Sequence, residues 1–259
     1  MCGGASLESD ILQLVLLALT GVLAGTVNTI AGGGSLLTLP ALMLLGVSAP
    51  VANGTNRIAI VMQSSMGARA MHKRAPFPLR ATFLLSIPTV IGAIAGAWLA
   101  TRFHSDDMRI AIGCALVAGA LLLAAQPKRL LEKRSREEGR SHPFLLVFGL
   151  LVAGFYGGLL QAGVGAVLLV VLGWVGRWDL LDATGAKNLM IAIYTFPALA
   201  IFVLADEVAW LPGLVLGVGA VVGAEFGARL ALRGGRKLIL GTVVIAVLVA
   251  ALKLLGVLG

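Results

Sequence analysis

Two apolar stretches of the chain each begin with a threonine, an asparagine and a single cation. The first opens with Thr55-Asn56-Arg57, and the second contains Thr184 followed by Lys187-Asn188. Arginine donates two parallel hydrogen bonds to an oxyanion, lysine supplies a point charge, and amides and hydroxyls add neutral donors. No carboxylate lies in the same polar stripes, so a metal ion or an organic cation fits them poorly. The two motifs therefore predict a site for a small anion.

The spacing of polar residues extends each motif along one face of a helix. Arg57 shares a face with Ser64, which follows seven residues later. Asn56 and Gln63 have the same spacing, and the second motif is followed by a tyrosine and a threonine at that distance. The alternative is that both cations snorkel to a membrane interface, since each lies within about two turns of its helix start. A snorkelling side chain needs no polar stripe, so the pattern favours a site.

Two glycine-rich breaks interrupt the apolar sequence, Gly32-Gly33-Gly34-Ser35 and Gln161-Ala162-Gly163-Val164-Gly165. A break leaves backbone N–H and C=O groups without partners, which lipid does not tolerate. These groups must be buried in protein or face a wet cavity, where a helix N-terminus offers N–H groups to an anion. The alternative is close helix packing through small residues, which we expect for the spaced pair Gly92 and Gly96. Packing explains a triple glycine less well than a cavity does.

The composition indicates which kind of element positions these residues. The 259-residue chain is 59% hydrophobic and 12% charged, which is about half the charged share of a soluble domain. Its mean hydropathy of +0.99 means that one core cannot bury all the apolar residues, so lipid must solvate much of the surface. The formal net charge is +8. The basic residues lie in short loops between apolar runs, a pattern typical of membrane proteins and not of nucleic-acid binding.

Apolar runs bounded by charges, prolines or glycines divide the chain into ten predicted helical segments. Several reach the roughly 20 residues that cross a bilayer, whereas the second and the seventh are too short to cross comfortably. We therefore predict an all-α polytopic membrane protein with about eight to ten membrane segments, two of them short or re-entrant. The segments span residues 11–31, 36–47, 53–71, 81–101, 110–125, 144–160, 166–175, 183–204, 210–232 and 238–258.

The order of segments repeats in the second half of the chain. A shift of 129 residues places Thr55 on Thr184 and aligns the two glycine-rich breaks. Glycine is abundant, but chance explains poorly why each half runs from a long helix through a break and a short segment to a polar-headed helix. Five segments per half is an odd number, so the second half starts on the opposite side, which predicts inverted repeats. The predicted domains are a first repeat over 1–125, a basic cytosolic connector over 126–143 and a second repeat over 144–259.

Basic loops decide the predicted orientation, because such loops stay in the cytosol. Counting ten segments places the basic loops at 73–80 and 233–237 on the same side as the connector. The acidic residues at 8–10 and 206–207 then lie on the other side. We therefore predict a multi-pass protein of a bacterial inner membrane with both termini in the periplasm.

The glycine and asparagine pattern resembles that of the TauE/SafE sulfite exporter family. The pattern comprises Gly25, Asn28, the first break, Pro40, Gly46 and the Asn53–Arg57 motif, with a second-half echo from Gly154 to Asn188. The resemblance spans nearly the whole chain and implies a multi-pass carrier of sulfite, sulfoacetate or similar sulfur oxyanions, in many members an exporter. The family usually has glycines where this chain has Gln161 and Val164. We therefore expect the second break to contribute a side-chain amide in place of bare backbone.

These features predict a secondary transporter for a small sulfur-containing anion within the lipid bilayer. The sequence has no P-loop or other nucleotide motif, so ion gradients would drive transport, and we predict no cofactor and no metal site. The alternatives are an anion channel of the same fold, a membrane-embedded enzyme, which lacks an evident catalytic cluster here, and an interaction subunit. The sequence leaves open whether the protein is a homodimer. The predicted substrate-binding residues are Asn28, Gly32, Gly33, Gly34, Thr55, Asn56, Arg57, Gln63, Gln161, Gly163, Thr184, Lys187 and Asn188.

Three further charged residues have predicted structural roles. Glu225 and Arg229 are four residues apart in one apolar helix, which predicts an ion pair in preference to a proton relay. Asp182 precedes the second cation motif and has two interpretations. It either caps the helix that carries Lys187 or lies at the mouth of the cavity.

Overall fold

The computed structural model describes residues 3–124 and 142–232, and these ranges are helical without any strand. The nine predicted segments that fall in them are all helices. The tenth segment, 238–258, and residues 126–141 of the predicted connector lie outside the described residues. The helices are α1 (Gly3–Ala31), α2 (Ser35–Leu44), α3 (Ala49–Arg74), α4 (Leu79–Ala100), α5 (Ser105–Ala124), α6 (Pro143–Leu159), α7 (Val164–Val170, continued by a π-helical turn Val171–Val175), α8 (Leu180–Leu204) and α9 (Trp210–Leu232).

Within the described ranges, four helices are long and apolar enough to cross a bilayer: Ile11–Ala31 of α1, and α4, α8 and α9. They turn large apolar side chains outward. On α4, for example, Phe83, Ile87 and Ile91 are exposed at intervals of four. Such a surface requires lipid around it. The ten residues of α2 rise about 15 Å, roughly half the hydrocarbon core of a bilayer, so α2 is too short to cross alone.

The long helices of each predicted half pack against helices of the other half. α1 lies along α9, and α6 lies along α4. Spaced glycines permit both close approaches. A Cβ on Gly223 would lie 2.0 Å from the carbonyl oxygen of Val22. A Cβ on Gly96 would lie 2.0 Å from that of Phe155, and Gly92 makes a similar contact one turn earlier. The packing role predicted for Gly92 and Gly96 is therefore confirmed.

α3 and α8 lie side by side, and each begins where the other ends. A Cβ on Gly54, near the start of α3, would lie 2.0 Å from the carbonyl oxygen of Glu207, which follows α8. A Cβ on Gly185, near the start of α8, would lie 2.3 Å from Cδ1 of Phe77, which follows α3. The two helices are therefore antiparallel. The α3–α4 loop and the α8–α9 loop lie at opposite ends of the pair.

The two glycine-rich breaks separate helices and touch one another. Gly32, between α1 and α2, has a φ of 79°, and Gln161 and Gly163, between α6 and α7, have φ values of 61° and 72°. A Cβ on Gly32 would lie 2.2 Å from the carbonyl carbon of Gly165, and one on Gly165 would lie 2.3 Å from Cα of Gly32. Only glycine permits this backbone-to-backbone contact.

The helix that carries Lys187 is capped by Asp179. The Asp179 carboxylate accepts a hydrogen bond from the N–H of Leu181 at 3.2 Å, and α8 begins at the residue after Asp179. The prediction that Asp182 caps this helix is wrong, because Asp182 lies inside the first turn. The sequence offers two aspartates three residues apart, either of which is a favourable N-cap, and the helix starts at the earlier one.

Candidate substrate-binding site

Both cations of the predicted site are fully buried. Arg57 on α3 and Lys187 on α8 have an exposed fraction of 0%. A snorkelling side chain keeps its charged group in the membrane–water interface, so this burial contradicts the snorkelling alternative for both residues. A buried charge requires hydrogen-bonding partners, because leaving it unpaired away from water is costly.

Arg57 finds its partners at the end of α6. Its Nη1 donates to the carbonyl oxygen of Gly157 at 3.1 Å, and its Nη2 donates to that of Gly158. The guanidinium also lies 4.4 Å from the ring centroid of Phe202, which is within cation–π range. The last carbonyls of a helix lack partners inside the helix and carry partial negative charge. Arg57 therefore satisfies the end of α6 both by hydrogen bonding and by charge.

Lys187 makes the reciprocal contact at the end of α1. Its Nζ donates to the carbonyl oxygens of Asn28 at 2.8 Å and Thr29 at 3.1 Å. A shift of 129 residues, the shift of the predicted repeat, relates this carbonyl pair to the pair bound by Arg57. The third helix of each half thus supplies a cation to the end of the first helix of the other half. We call these two interactions the crossed caps.

The crossed caps change the role predicted for Arg57. The sequence predicted that its paired Nη groups would donate to an anion, but in the structure both donate to backbone carbonyls. Its buried Nε has no hydrogen-bond partner among the residues that the structure describes. An anion therefore reaches Arg57 through Nε or by displacing a carbonyl of α6. This arrangement was not readable from the sequence, because the carbonyls lie a hundred residues away along the chain.

A group of buried polar side chains adjoins the crossed caps. Each is at most 3% exposed and has a side-chain nitrogen or oxygen without a hydrogen-bond partner within residues 3–124 and 142–232. Gly67 of α3 lies beside two of them, because a Cβ there would lie 3.0 Å from Oγ1 of Thr29 and 3.4 Å from Cγ of Asn188. We call the group the donor cluster, and its members are Asn28 and Thr29 of α1, Asn56, Gln63 and Ser64 of α3, and Asn188 of α8.

The unpaired atoms of the donor cluster match an acceptor-rich ligand. A buried polar atom without a partner costs about 1–3 kcal/mol, and native proteins keep few of them. Several in one place therefore indicate a role other than folding. The unpaired atoms of the cluster include three donors, the amide nitrogens of Asn28, Asn56 and Gln63, and two acceptors, Oε1 of Gln63 and Oδ1 of Asn188. The amide nitrogens, together with the unpaired Nε of the adjoining Arg57, are donors of the kind that suits an oxyanion.

Asn28 and Asn56 connect the cluster to the first glycine-rich break. The Oδ1 of Asn28 accepts a hydrogen bond from the N–H of Gly34 at 3.4 Å. The Oδ1 of Asn56 accepts one from the hydroxyl of Thr38 on α2 at 2.6 Å. The structure therefore brings the first break and the first cation motif together, as the sequence predicted, and leaves the amide nitrogens of both asparagines unpaired.

Gln161 connects the second break to Arg57. Its Oε1 accepts hydrogen bonds from Nη1 of Arg57 at 3.4 Å and from the hydroxyl of Tyr194 at 3.3 Å. Its Nε2 donates to the hydroxyl of Thr195 at 3.5 Å. Tyr194 and Thr195 form the polar face predicted for α8. The side-chain amide expected from the second break is thus present, held in a left-handed backbone conformation that glycine adopts more readily.

Three other predicted residues make structural contacts. The hydroxyl oxygen of Thr55 accepts a hydrogen bond from the N–H of Ala209 at 2.8 Å, which ties α3 to the α8–α9 loop. The hydroxyl of Thr184 donates to the backbone of its own helix at 2.7 Å. Gly163 lies against α5, where its Cβ would be 3.3 Å from Cα of Gly119. The threonines that head both motifs therefore position their helices.

Thr29 and Thr38 belong to the site but were not predicted. Both are single threonines in apolar sequence, where the hydroxyl commonly bonds the backbone of its own helix. The one feature of the sequence that could have indicated their role is their position beside the first break. Thr29 lies in the last turn of α1, and Thr38 lies in the first turn of α2.

The family model described as "Sulfite exporter TauE/SafE" matches residues 17–254. The chain belongs to the TauE/SafE sulfite exporter family. The match includes both glycine-rich breaks, both cation motifs and all residues of the crossed caps and the donor cluster. Membership of this family makes the protein a membrane transporter and not an enzyme.

Curated relatives carry transporter names. The chain is 33% identical over 244 residues to "Probable membrane transporter protein YfcA" of Escherichia coli (strain K12), covering 94% of this chain and 90% of the relative. It is 27% identical over 244 residues to "Probable membrane transporter protein ORF9" of Sinorhizobium sp, covering 94% and 92%. It is 24% identical over 242 residues to "Probable membrane transporter protein YunE" of Bacillus subtilis (strain 168), covering 85% and 89%. No solved structure matches the chain.

Proposed function

We propose that this TauE/SafE family member is a secondary transporter that exports a small sulfur-containing oxyanion, such as sulfite or sulfoacetate, across a bacterial inner membrane. The donor cluster carries the proposal, because it places unpaired buried donors beside two buried cations. The oxygens of a small oxyanion supply the acceptors that these donors lack. The sulfur-containing substrate class and the direction of transport follow the name of the family.

Inverted repeats of five segments each are part of this proposal. Three reciprocal relations between the halves support them: the crossed caps, the pairing of α1 with α9 and of α6 with α4, and the antiparallel α3 and α8. Inverted repeats place a substrate site at their interface near the bilayer midplane. The donor cluster combines residues of α1 and α3 with Asn188 of α8, and so lies at such an interface.

Alternating access is the transport mechanism that fits the burial of the cluster. Because each member is at most 3% exposed, a substrate reaches the cluster only when helices separate. The crossed caps link the binding of the substrate to the separation of the helices. An anion that takes a donor from Arg57 leaves a helix-end carbonyl of α6 without its partner, and one that takes Nζ of Lys187 removes a hydrogen bond from the end of α1. Either event weakens a contact between the halves. An anion channel of the same fold would instead need a continuous open path.

A pair of adjacent serines provides the test of the proposed site. Ser64 is fully buried with an unpaired hydroxyl, whereas Ser65 is exposed. We expect purified parent protein to bind sulfite or sulfoacetate in calorimetry and to give saturable flux in liposomes. The Ser64→Ala variant should bind about tenfold more weakly, since one hydrogen bond to an anion is lost. Ser65→Ala should match the parent.

The results of these experiments test the binding site, the transport mechanism and the direction of transport separately. Equal binding by Ser64→Ala and the parent would contradict the site. Flux that rises linearly with anion concentration would favour the channel. Comparing flux in inside-out and right-side-out vesicles tests export.

A further inference from the structure

A second group of charged side chains lies where α3 and α9 end. The Glu225 carboxylate accepts hydrogen bonds from Arg74 at both oxygens, and from Nε and Nη2 of Arg229 at 3.2 Å and 3.1 Å. The predicted ion pair between Glu225 and Arg229 is therefore confirmed. Arg74 is a further partner, which the sequence did not predict because it lies on a different helix.

A cavity of about 260 Å³ opens beside these ion pairs, lined by Met66, Arg69, Ala70, Lys73, Arg74 and Glu225. Arg69 and Lys73 are exposed, and neither has an ion-pair partner among the residues that the structure describes. We call Arg69, Lys73, Arg74, Glu225 and Arg229 the basic pocket. Its four cations face one carboxylate, which leaves a net charge of +3.

An apolar ridge on the outside of α9 leads to the basic pocket. Val218, Val222 and Phe226 recur at intervals of four and are 60%, 46% and 55% exposed. Arg229 follows Phe226 by three residues and continues the same face of the helix. In a membrane protein, side chains of this kind lie against lipid chains. The ridge therefore offers an apolar surface along which an acyl chain fits, and the cations lie at the end of the ridge where the polar headgroup would be.

We infer that the basic pocket binds the headgroup of an anionic phospholipid whose acyl chain lies along the ridge. The phosphodiester of such a lipid provides acceptor oxygens and one negative charge for the unpaired Arg69 and Lys73. The basic stretches at 73–80 and 233–237 are the ones that the sequence predicts to lie in the cytosol, and anionic lipids attract basic residues at that surface. Lipid accounts for the cations and the ridge together, whereas a soluble anion accounts only for the cations.

Binding of labelled phosphatidylglycerol to the purified protein in neutral detergent tests this inference. Each cation near an anionic lipid contributes about fivefold, so Arg69→Gln/Lys73→Gln should weaken binding roughly thirtyfold. The control Arg102→Gln/Arg109→Gln removes the same charge from exposed positions near the α4–α5 loop, outside the basic loops and the pocket, and should bind like the parent. The charge-preserving Arg69→Lys should remain within about threefold of the parent.

Competitors distinguish a lipid from a soluble anion. We expect unlabelled phosphatidylglycerol to displace the label, and phosphatidylcholine, glycerol phosphate and sulfite to fail at equal concentration. Displacement by glycerol phosphate or sulfite would mean that the pocket binds soluble anions, and the lipid inference would be wrong. It would be equally wrong if the double variant bound the label like the parent. If that variant is not monodisperse, Lys73→Gln alone should lose roughly fivefold.

Discussion

At the scale of single residues, Arg57 and Lys187 hold the molecule together as well as serving its proposed site. If these cations only bound an anion, neutralising either would impair transport and leave folding largely intact. The contacts predict a different result. Neutralising Arg57 leaves the buried carbonyls of Gly157 and Gly158 without their donors, and each unsatisfied group costs about 1–3 kcal/mol. Neutralising Lys187 removes one hydrogen bond from each of its carbonyls, which keep the N–H of Gly32 and the amide of Asn188 as donors. Conservative substitutions are therefore more informative than neutral ones.

Arg57→Lys should reduce both anion affinity and stability. A lysine keeps the charge, but it replaces a planar fork that spans the carbonyls of Gly157 and Gly158 and loses the flat contact with Phe202. We expect binding to fall about tenfold and stability to fall by roughly 1.5–3 kcal/mol, the contribution of one hydrogen bond to a charged group. Calorimetry and thermal unfolding in detergent measure the two effects. Parent-like values in both experiments would show that the fork has no role.

Glu207 lies in the α8–α9 loop, outside the membrane-spanning helices. Its carboxyl gives the stability of the protein a predicted dependence on pH. Burial raises the pKa of this carboxyl above its ordinary value, and its Oε2 has no hydrogen-bond partner in the described part of the chain. The folded state therefore binds the proton more tightly than the unfolded state, whose pKa is about 4.3. Stability should fall as the pH rises from that value through the raised pKa of the folded state.

Glu207→Gln removes this loss, so the variant should be more stable than the parent at neutral pH and similar to it below about pH 4. Thermal unfolding across this pH range is the measurement. Asp206→Asn removes the same charge from the exposed neighbour and separates the effect of burial from that of net charge. A parent and a Glu207→Gln variant with parallel stability profiles would contradict the prediction.

At the scale of elements, the breaks were predictable and their contacts were not. Glycine runs inside apolar sequence indicated where α1 and α6 end, because glycine alone adopts the φ of Gly32 without strain. Helix bounds followed from the apolar runs and from charges at their ends. The crossed caps depend on tertiary packing that no local pattern encodes. The sequence therefore identified the cations but not the backbone carbonyls that accept hydrogen bonds from them.

Alanine substitutions at Gly165, which is crowded, and at Gly46, which has open space around it, separate the cost of crowding from the cost of backbone strain. Gly165→Ala should severely destabilise the protein, since its Cβ would lie 2.3 Å from Cα of Gly32 in the opposite break and forced overpacking costs roughly 1–3 kcal/mol or more. Gly46 has a φ of 84° and open space around it, so Gly46→Ala should cost only the strain of roughly 1–2 kcal/mol. Yield of monodisperse protein and thermal unfolding compare them. A Gly165→Ala variant as stable as the parent would mean that the breaks separate freely.

At the scale of the whole molecule, the sequence predicted the helical membrane class and the family correctly. Both follow from average properties, namely hydropathy and a motif pattern spread over the chain. The sequence did not predict which helices pack against each other, because a stripe of small residues shows that a helix packs closely without showing against which helix. Gly92 and Gly96 illustrate this limit. Their packing role was predicted, whereas their position against α6 of the other half became visible only in three dimensions.

The proposed inverted repeats make a prediction about two equivalent loops. The α3–α4 loop and the α8–α9 loop lie at opposite ends of the antiparallel pair α3 and α8, next to Gly185 and Gly54 respectively. The 26 residues of α3 rise about 39 Å, which exceeds the roughly 30 Å hydrocarbon core. The two loops should therefore lie on opposite sides of the membrane, with the basic α3–α4 loop in the cytosol.

Cysteine labelling in intact cells tests this arrangement in a background without the native Cys2 and Cys114. A membrane-impermeant maleimide should modify Asp206→Cys from outside and should modify Pro76→Cys only after the membrane is permeabilised. Both positions are exposed loop residues, so a difference in labelling reports the side of the membrane and not burial. Labelling of both positions from the same side would contradict the inverted repeat, because two repeats of the same orientation place equivalent loops together. Labelling of Pro76→Cys alone from outside would keep the inversion and reverse the orientation that the basic loops predict.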